Sequence, residues 1–157
     1  MSDFRTGVRL ALDWGEARIG VAACDRDGVL AFPIATVRAG DAAVTELIAL
    51  IADYDPIEVL VGLPRSLSGG EGPAALRMRG HAQRLATVCP VPVRLVDERL
   101  TTVTAARHLR ESGKKSKQQR AVIDAASAVA ILEQALALER GRGEQPGELV
   151  SAPGRPG

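Results

Sequence analysis

Aromatic side chains are almost missing from this chain: one Trp, one Tyr and two Phe in 157 residues. Proteins that hold single strands by stacking bases on rings need more of them, so stacking is excluded as the main mode of any nucleic-acid binding. Cysteine is equally sparse. Cys24 and Cys89 lie far apart, match no zinc-ligand spacing and read as two small buried thiols; an intermolecular disulfide would require one of them to be exposed. No apolar run approaches the ~20 residues of a membrane span, and Met1 to Gly7 is polar, without a signal-peptide core. The expectations are no membrane partner and a cytoplasmic location.

What is present is an ordinary soluble composition, 46% hydrophobic and 25% charged, in a length that suits one domain with a real core. The net charge of +1 conceals an uneven spread. Residues 1–64 hold ten acids against five bases, 65–120 hold twelve bases against four acids, and 121–157 hold five acids against three bases. A basic middle in a nearly neutral chain suits an anionic partner on one face, and equally a solvated surface.

The apolar pattern predicts strands over Val8–Asp13, Arg18–Cys24 and Val29–Val37, the last two joined at Asp25-Arg26-Asp27-Gly28, with Pro33 forcing a bulge or an edge. A helix capped by Asp41 runs to Asp53, a buried strand covers Ile57–Leu63, and Pro73 opens a helix reaching about Val88. A fifth strand spans Val91–Val96. Thr101 or Thr102 caps a helix to Ser112, Lys114–Gln119 connect, and Arg120–Arg140 form the last helix. Residues 141–157, with five Gly and three Pro, read as a disordered tail behind a domain of residues 1–140. The order β-β-β-α-β-α-β-α-α predicts an α/β fold: a five-stranded mixed sheet, three antiparallel strands then two parallel, flanked by helices. That is the ribonuclease H-like pattern.

Three acids stand in apolar settings. Asp13 ends Val8-Arg9-Leu10-Ala11-Leu12, Glu98 follows Val93-Arg94-Leu95-Val96-Asp97, and Asp124 lies in the alanine-rich last helix. A carboxylate beside a core is costly unless something positive balances it. If the three converge they make an oxygen-rich pocket for a hard divalent cation, and metal-assisted phosphodiester hydrolysis is the chemistry it supports best. Taken singly, each has a plainer role: Asp13 suits a turn acceptor, and one of Asp97 and Glu98 suits a helix cap while the other faces a site. Basic residues supply candidate phosphate contacts. Arg77, His81 and Arg84 share a stripe on the Pro73 helix, opposite the core stripe of Ala75, Met78, Ala82 and Leu85. Residues 99–120 carry seven bases and one acid, with Lys114, Lys115 and Lys117 around Gly113. His81 and His108 have no second ligand nearby in sequence and read as non-metal residues.

Together, Leu10-Ala11-Leu12-Asp13-Trp14-Gly15 with Ile19-Gly20-Val21-Ala22, Val61-Gly62-Leu63-Pro64, Val96-Asp97-Glu98-Arg99-Leu100-Thr101 and Ile123-Asp124-Ala125-Ala126-Ser127-Ala128-Val129 resemble the YqgF (RuvX) family. These are ribonuclease H-like proteins described as Holliday-junction resolvases or pre-16S rRNA processing nucleases. The resemblance covers roughly residues 8–139. It implies that Asp13, Glu98 and Asp124 form the acidic catalytic site, with the loop after Leu63-Pro64 and the basic connector near substrate; on the reading of the residues themselves, that site holds Mg²⁺ or Mn²⁺ and Arg65, Arg77, Arg84, Arg99, Lys114, Lys115 and Lys117 are the candidate nucleic-acid contacts. It also implies one departure from RuvC resolvases, which carry a further Asp where this chain has Ser127. The expected activity is hydrolysis of phosphodiesters at the 5′ end of pre-16S rRNA, with four-way DNA junctions as the alternative substrate. A monomer serves the first, a homodimer the second. Two other readings are a non-catalytic nucleic-acid-binding module and, because Asp13 to Gly20 resembles a phosphate loop, an actin-like phosphotransferase, for which one short chain is too small.

Overall fold

The computed structural model describes residues 4–64, 70–98 and 117–150, with side chains from residue 125 onward in the last segment. The elements in chain order are β1 (Arg9–Trp14), β2 (Arg18–Cys24), β3 (Ala31–Arg38), α1 (Ala43–Tyr54), β4 (Glu58–Leu63), α2 (Pro73–Val88), β5 (Val93–Asp97), α3 (Lys117–Arg142) and β6 (Glu148–Leu149). They form one mixed sheet of order β3-β2-β1-β4-β5-β6. β1, β4 and β5 run parallel, while β2, β3 and β6 are antiparallel to their neighbours.

The period-two alternation of the strands builds two cores. Leu10, Leu12 and Trp14 of β1 join Val59, Val61 and Leu63 of β4 on the face covered by Leu47 and Ile51 of α1 and by Met78, Ala82 and Leu85 of α2. Ala11, Ala22, Leu60 and Val96 line the other face, under Ala128, Ile131, Leu132, Ala135 and Leu136 of α3. Each fully buried Leu or Ile contributes roughly 1.5–3 kcal/mol. Alanines on both sides of the second interface let α3 lie close to the sheet. Both cysteines are buried, and burial raises the Cys24 thiol above its ordinary pKa although the Arg9 N–H donates to its Sγ.

Several boundaries differ from those expected. Among the described residues the sheet has six strands, not five: Glu148–Leu149, placed by the sequence reading in the tail, pairs with Leu95 and Arg94. Arg79 of α2 holds this strand through Glu148 while its Nε donates to Glu71 at 2.7 Å. β3 starts at Ala31 because the Asp25 carboxylate accepts from the Val29 and Leu30 N–H groups at 2.8 and 2.7 Å and keeps them in the turn. Pro33 does sit at an irregularity, where the β2 register slips between Val21 and Ala22, on the sheet's edge strand. Asp41 does not cap α1. The N-cap is Ala42, without a side-chain bond, and the Ala43 N–H donates to Gly40 instead. α3 begins at Lys117 rather than Arg120 and ends at Arg142, where Gly143 (φ +67°) donates back to Glu139 at 2.8 Å. The proposed helix from Thr101 or Thr102 to Ser112 and most of the basic connector lie outside the described residues.

One end of the α3 interface is a buried ion-pair cluster. Arg9 of β1 (1% exposed) pairs with Glu139 of α3 (2%) at 2.8 Å. Arg5 bridges Glu139 at 2.6 Å and Glu58 at 2.8 Å, and Arg94 approaches Glu58 at 3.4 Å. Burial pushes the Glu139 carboxyl up, but hydrogen bonds from the Arg5 side chain and N–H, with the Arg9 charge, outweigh it and leave the group below its ordinary range. Removing one partner of such a pair strands the other in the interior. Glu139→Ala is expected to cost about 3–5 kcal/mol, measured by urea denaturation followed through the single Trp14.

Candidate active site

The opposite end of the same interface gathers the acids. Asp13 is the fifth residue of β1, on the α3 side because Leu12 and Trp14 belong to the other core. The β1–β4 register pairs Leu12 with Val61, which sets Asp13 beside Gly62 on the neighbouring strand, ~4.8 Å away. Glu98 directly follows β5, and its side chain reaches back over that same glycine. A Cβ built on Gly62 would lie 2.7 Å from Glu98 Oε1 and 2.6 Å from Ile131 Cδ1. Gly62 is therefore the floor of a cradle, walled by Glu98 and by Ile131 of α3. Asp13 is 1% exposed and Glu98 2%.

The direction of α3 follows from its two ends. Ile131 stands over Gly62, whereas Glu139 meets Arg9 at the start of β1. The helix thus runs antiparallel to β1 and β4. Ser127, one turn before Ile131, lies ~6 Å farther toward the C-terminal ends of the parallel strands. Its side chain is 1% exposed, and its Oγ finds no hydrogen-bond partner. The Asp124 backbone occupies the preceding turn of α3; its side chain lies outside the described residues. The structure therefore brings Asp13 and Glu98 together and puts the backbone of Asp124 at the same end. Among the described residues no three His, Cys, Asp or Glu side chains form a metal-binding group.

Of the basic candidates, Arg77 and Arg84 lie on α2. Arg77 Nη2 approaches Glu16, just past β1, at 3.8 Å. His81 behaves otherwise than its place in a basic stripe suggests. Its ring stacks on Trp14, the residue after Asp13, with centroids 4.7 Å apart and planes within 7°, and Arg84 donates to its Nδ1. Burial, then the charges of Arg84 and Arg77, hold the imidazole below its ordinary pKa of 6.5. At neutral pH the stripe presents two guanidinium groups and a neutral ring. Arg65, Arg99, Lys114 and Lys115 lie outside the described residues, and Lys117 is seen only as the first backbone residue of α3.

Two features escaped the sequence reading, the Gly62 cradle and the Trp14–His81 stack, while Ser127 was singled out as a departure from RuvC but not as a buried, unbonded hydroxyl. A glycine among β-branched and aliphatic strand residues signals close approach, and this was the available clue to the first. Gly15, where a Cβ would meet the Arg18 carbonyl oxygen at 2.7 Å, keeps the turn after Trp14 tight in the same way.

The donor set is hard: two buried carboxylates at a floor that admits no side chain and, one turn of α3 before Ile131, a buried hydroxyl without a hydrogen-bond partner. Such oxygens fit a small divalent cation and its waters better than a soft metal. A mixed sheet of this order, with acids at the ends of β1 and β5, is a ribonuclease H-like domain. Thermus thermophilus RuvC, solved with a Holliday junction, shares the fold at a TM-score of 0.56 and 16% identity, over 89% of this chain and 99% of that one. The chain belongs to the RuvX family, whose profile, described as Holliday junction resolvase, matches residues 7–138. A Streptomyces coelicolor relative provisionally named a pre-16S rRNA nuclease is 62% identical over 93% of this chain and 89% of its own length. A Cutibacterium acnes relative of the same name is 55% identical over 83% and 82%.

Two tests follow from this geometry. Gly62→Ala forces Glu98 and Ile131 aside and is expected to destabilise the fold by about 1–3 kcal/mol, measured by chemical denaturation, with Glu98 displaced in a crystal structure. His81, whose folded pKa lies below its unfolded 6.5, contributes stability that is complete above 6.5 and lost as pH falls through the folded value. Denaturation midpoints should drop across that window in the parent protein and stay flatter in His81→Gln.

Proposed function

We propose that this chain is a nuclease that hydrolyses phosphodiesters in a metal-dependent reaction, and that its substrate is the 5′ end of pre-16S rRNA. The observation that carries the catalytic part is the convergence of buried Asp13 and Glu98 over Gly62, away from the guanidinium cluster at the far end of α3. Buried carboxylates gathered at one end of a sheet mark a functional-site candidate, and their hard oxygens suit a cationic ligand. The substrate part rests on the names of the relatives.

In this reading Asp13 and Glu98 hold Mg²⁺ or Mn²⁺ and Asp124 completes the donor set. Bound there, the ion supplies Lewis-acid polarisation of the phosphoryl group and a more acidic water. The rest belongs to this chain's own side chains. Asp124 orients the attacking water. Arg77 and Arg84 take phosphates flanking the scissile bond, Arg77 exchanging its long 3.8 Å contact with Glu16 for a closer one. Arg65, Arg99, Lys114, Lys115 and Lys117 extend the phosphate contacts beyond the cleft. With so few aromatic residues, recognition falls to backbone charge and RNA shape, which makes binding salt-dependent.

The family description favours a second reading, resolution of four-way DNA junctions. Symmetric cutting of opposed strands would then require a homodimer. One experiment separates the two: purified protein with Mg²⁺ or Mn²⁺ is offered a precursor 16S rRNA fragment and a four-way junction, with its mass followed by light scattering. Cleavage of the RNA by a monomer is the expected result. Asp13→Asn should lower cleavage at least a thousandfold while leaving the circular dichroism spectrum unchanged, and retained cleavage would remove Asp13 from the mechanism.

A further inference from the structure

The buried hydroxyl of Ser127 has no structural employment. Its Oγ lies in the interface between α3 and the sheet, 1% exposed, without a hydrogen-bond partner. Buried hydroxyls are nearly always bonded. A helical serine even has an acceptor at hand, the carbonyl one turn back, and Ser127 leaves it unused. Its position is specific. It stands one turn from Ile131, which walls the Gly62 cradle with Glu98, and on the side away from the Arg9–Glu139 pair.

We propose that Ser127 is a positioning residue of the acidic site, its hydroxyl reserved for a water molecule carried by a divalent cation between Asp13 and Glu98. This rests on the metal-site reading above and adds a preference to it. A hydroxyl both donates and accepts but brings no charge. It therefore supports a hydrated ion rather than stripping it. Mg²⁺ gives up its waters reluctantly and keeps several of them when bound, and a neutral hydroxyl near the carboxylates offers one such water a partner. Held between ion and hydroxyl, the water has a fixed orientation before any substrate arrives.

The test is Mg²⁺ binding by isothermal titration calorimetry, with no nucleic acid present, on the parent protein, Ser127→Ala and Asp13→Asn, together with thermal unfolding of the metal-free forms. Ser127→Ala is expected to weaken Mg²⁺ binding about three- to tenfold, the range for one hydrogen bond. Its metal-free form should melt at the same temperature or higher, since an unpaired hydroxyl has left the interior. Unchanged Mg²⁺ affinity in Ser127→Ala, with Asp13→Asn unable to bind, overturns the proposal and leaves the metal site standing. A metal-free Ser127→Ala that melts several degrees lower also overturns it, because the hydroxyl would then be serving the fold. Absence of Mg²⁺ binding by the parent protein removes both the site and this role.

Discussion

Seating α3 on the sheet requires small side chains on both surfaces and a way to accommodate charge at both ends of the contact. Ala11, Ala22, Ala128 and Ala135 meet the first requirement. At one end Arg9, Arg5 and Arg94 face Glu139 and Glu58, so the ends of β1, β4 and α3 are tied by guanidinium–carboxylate contacts. At the other end the strands deliver Asp13 and Glu98 to the same interface. The helix is thus clamped far from the acids, and their geometry is set by a lever whose fixed point lies on the opposite side of an apolar layer.

The opposite face contributes differently. Trp14 is buried in the core under α1 and α2, yet it directly follows Asp13 in the chain. Its ring takes the imidazole of His81, and His81 takes a proton donor from Arg84. The α2 stripe is therefore registered against the very strand that carries the acid. On the function proposed above, phosphate contacts from Arg77 and Arg84 would be made at a fixed offset from Asp13.

Much of this was legible in the residues. Apolar runs ending in Asp13 and Asp97 located the strands, Gly28 and Pro73 marked a turn and a helix start, and the β-β-β-α-β order specified the mixed sheet. Asp13 and Glu98 stood out as candidates because a carboxylate directly after a buried run is conspicuous. What stayed hidden depends on contacts distant in sequence. β6 is two residues long and exists because β5 offers an edge and Arg79 a salt bridge, neither visible in Glu148-Leu149 itself. Arg9 and Glu58 lie inside strands read as buried, and their partners, Glu139 for Arg9 and Arg5 with Arg94 for Glu58, come from elsewhere in the chain. Gly62 passed as one more residue of a buried strand, although its missing side chain is the space Glu98 occupies.

The pairing of β6 with β5 also decides how two copies of this chain can meet. One margin of the sheet is sealed by its own C-terminal segment. The other, β3, carries Pro33 and a slipped register, which spoil a continuous row of main-chain donors. Among the described residues, both borders are thus poor templates for strand-to-strand pairing. A symmetric pair assembled instead from side chains on helices and loops could form and part without disturbing the sheet.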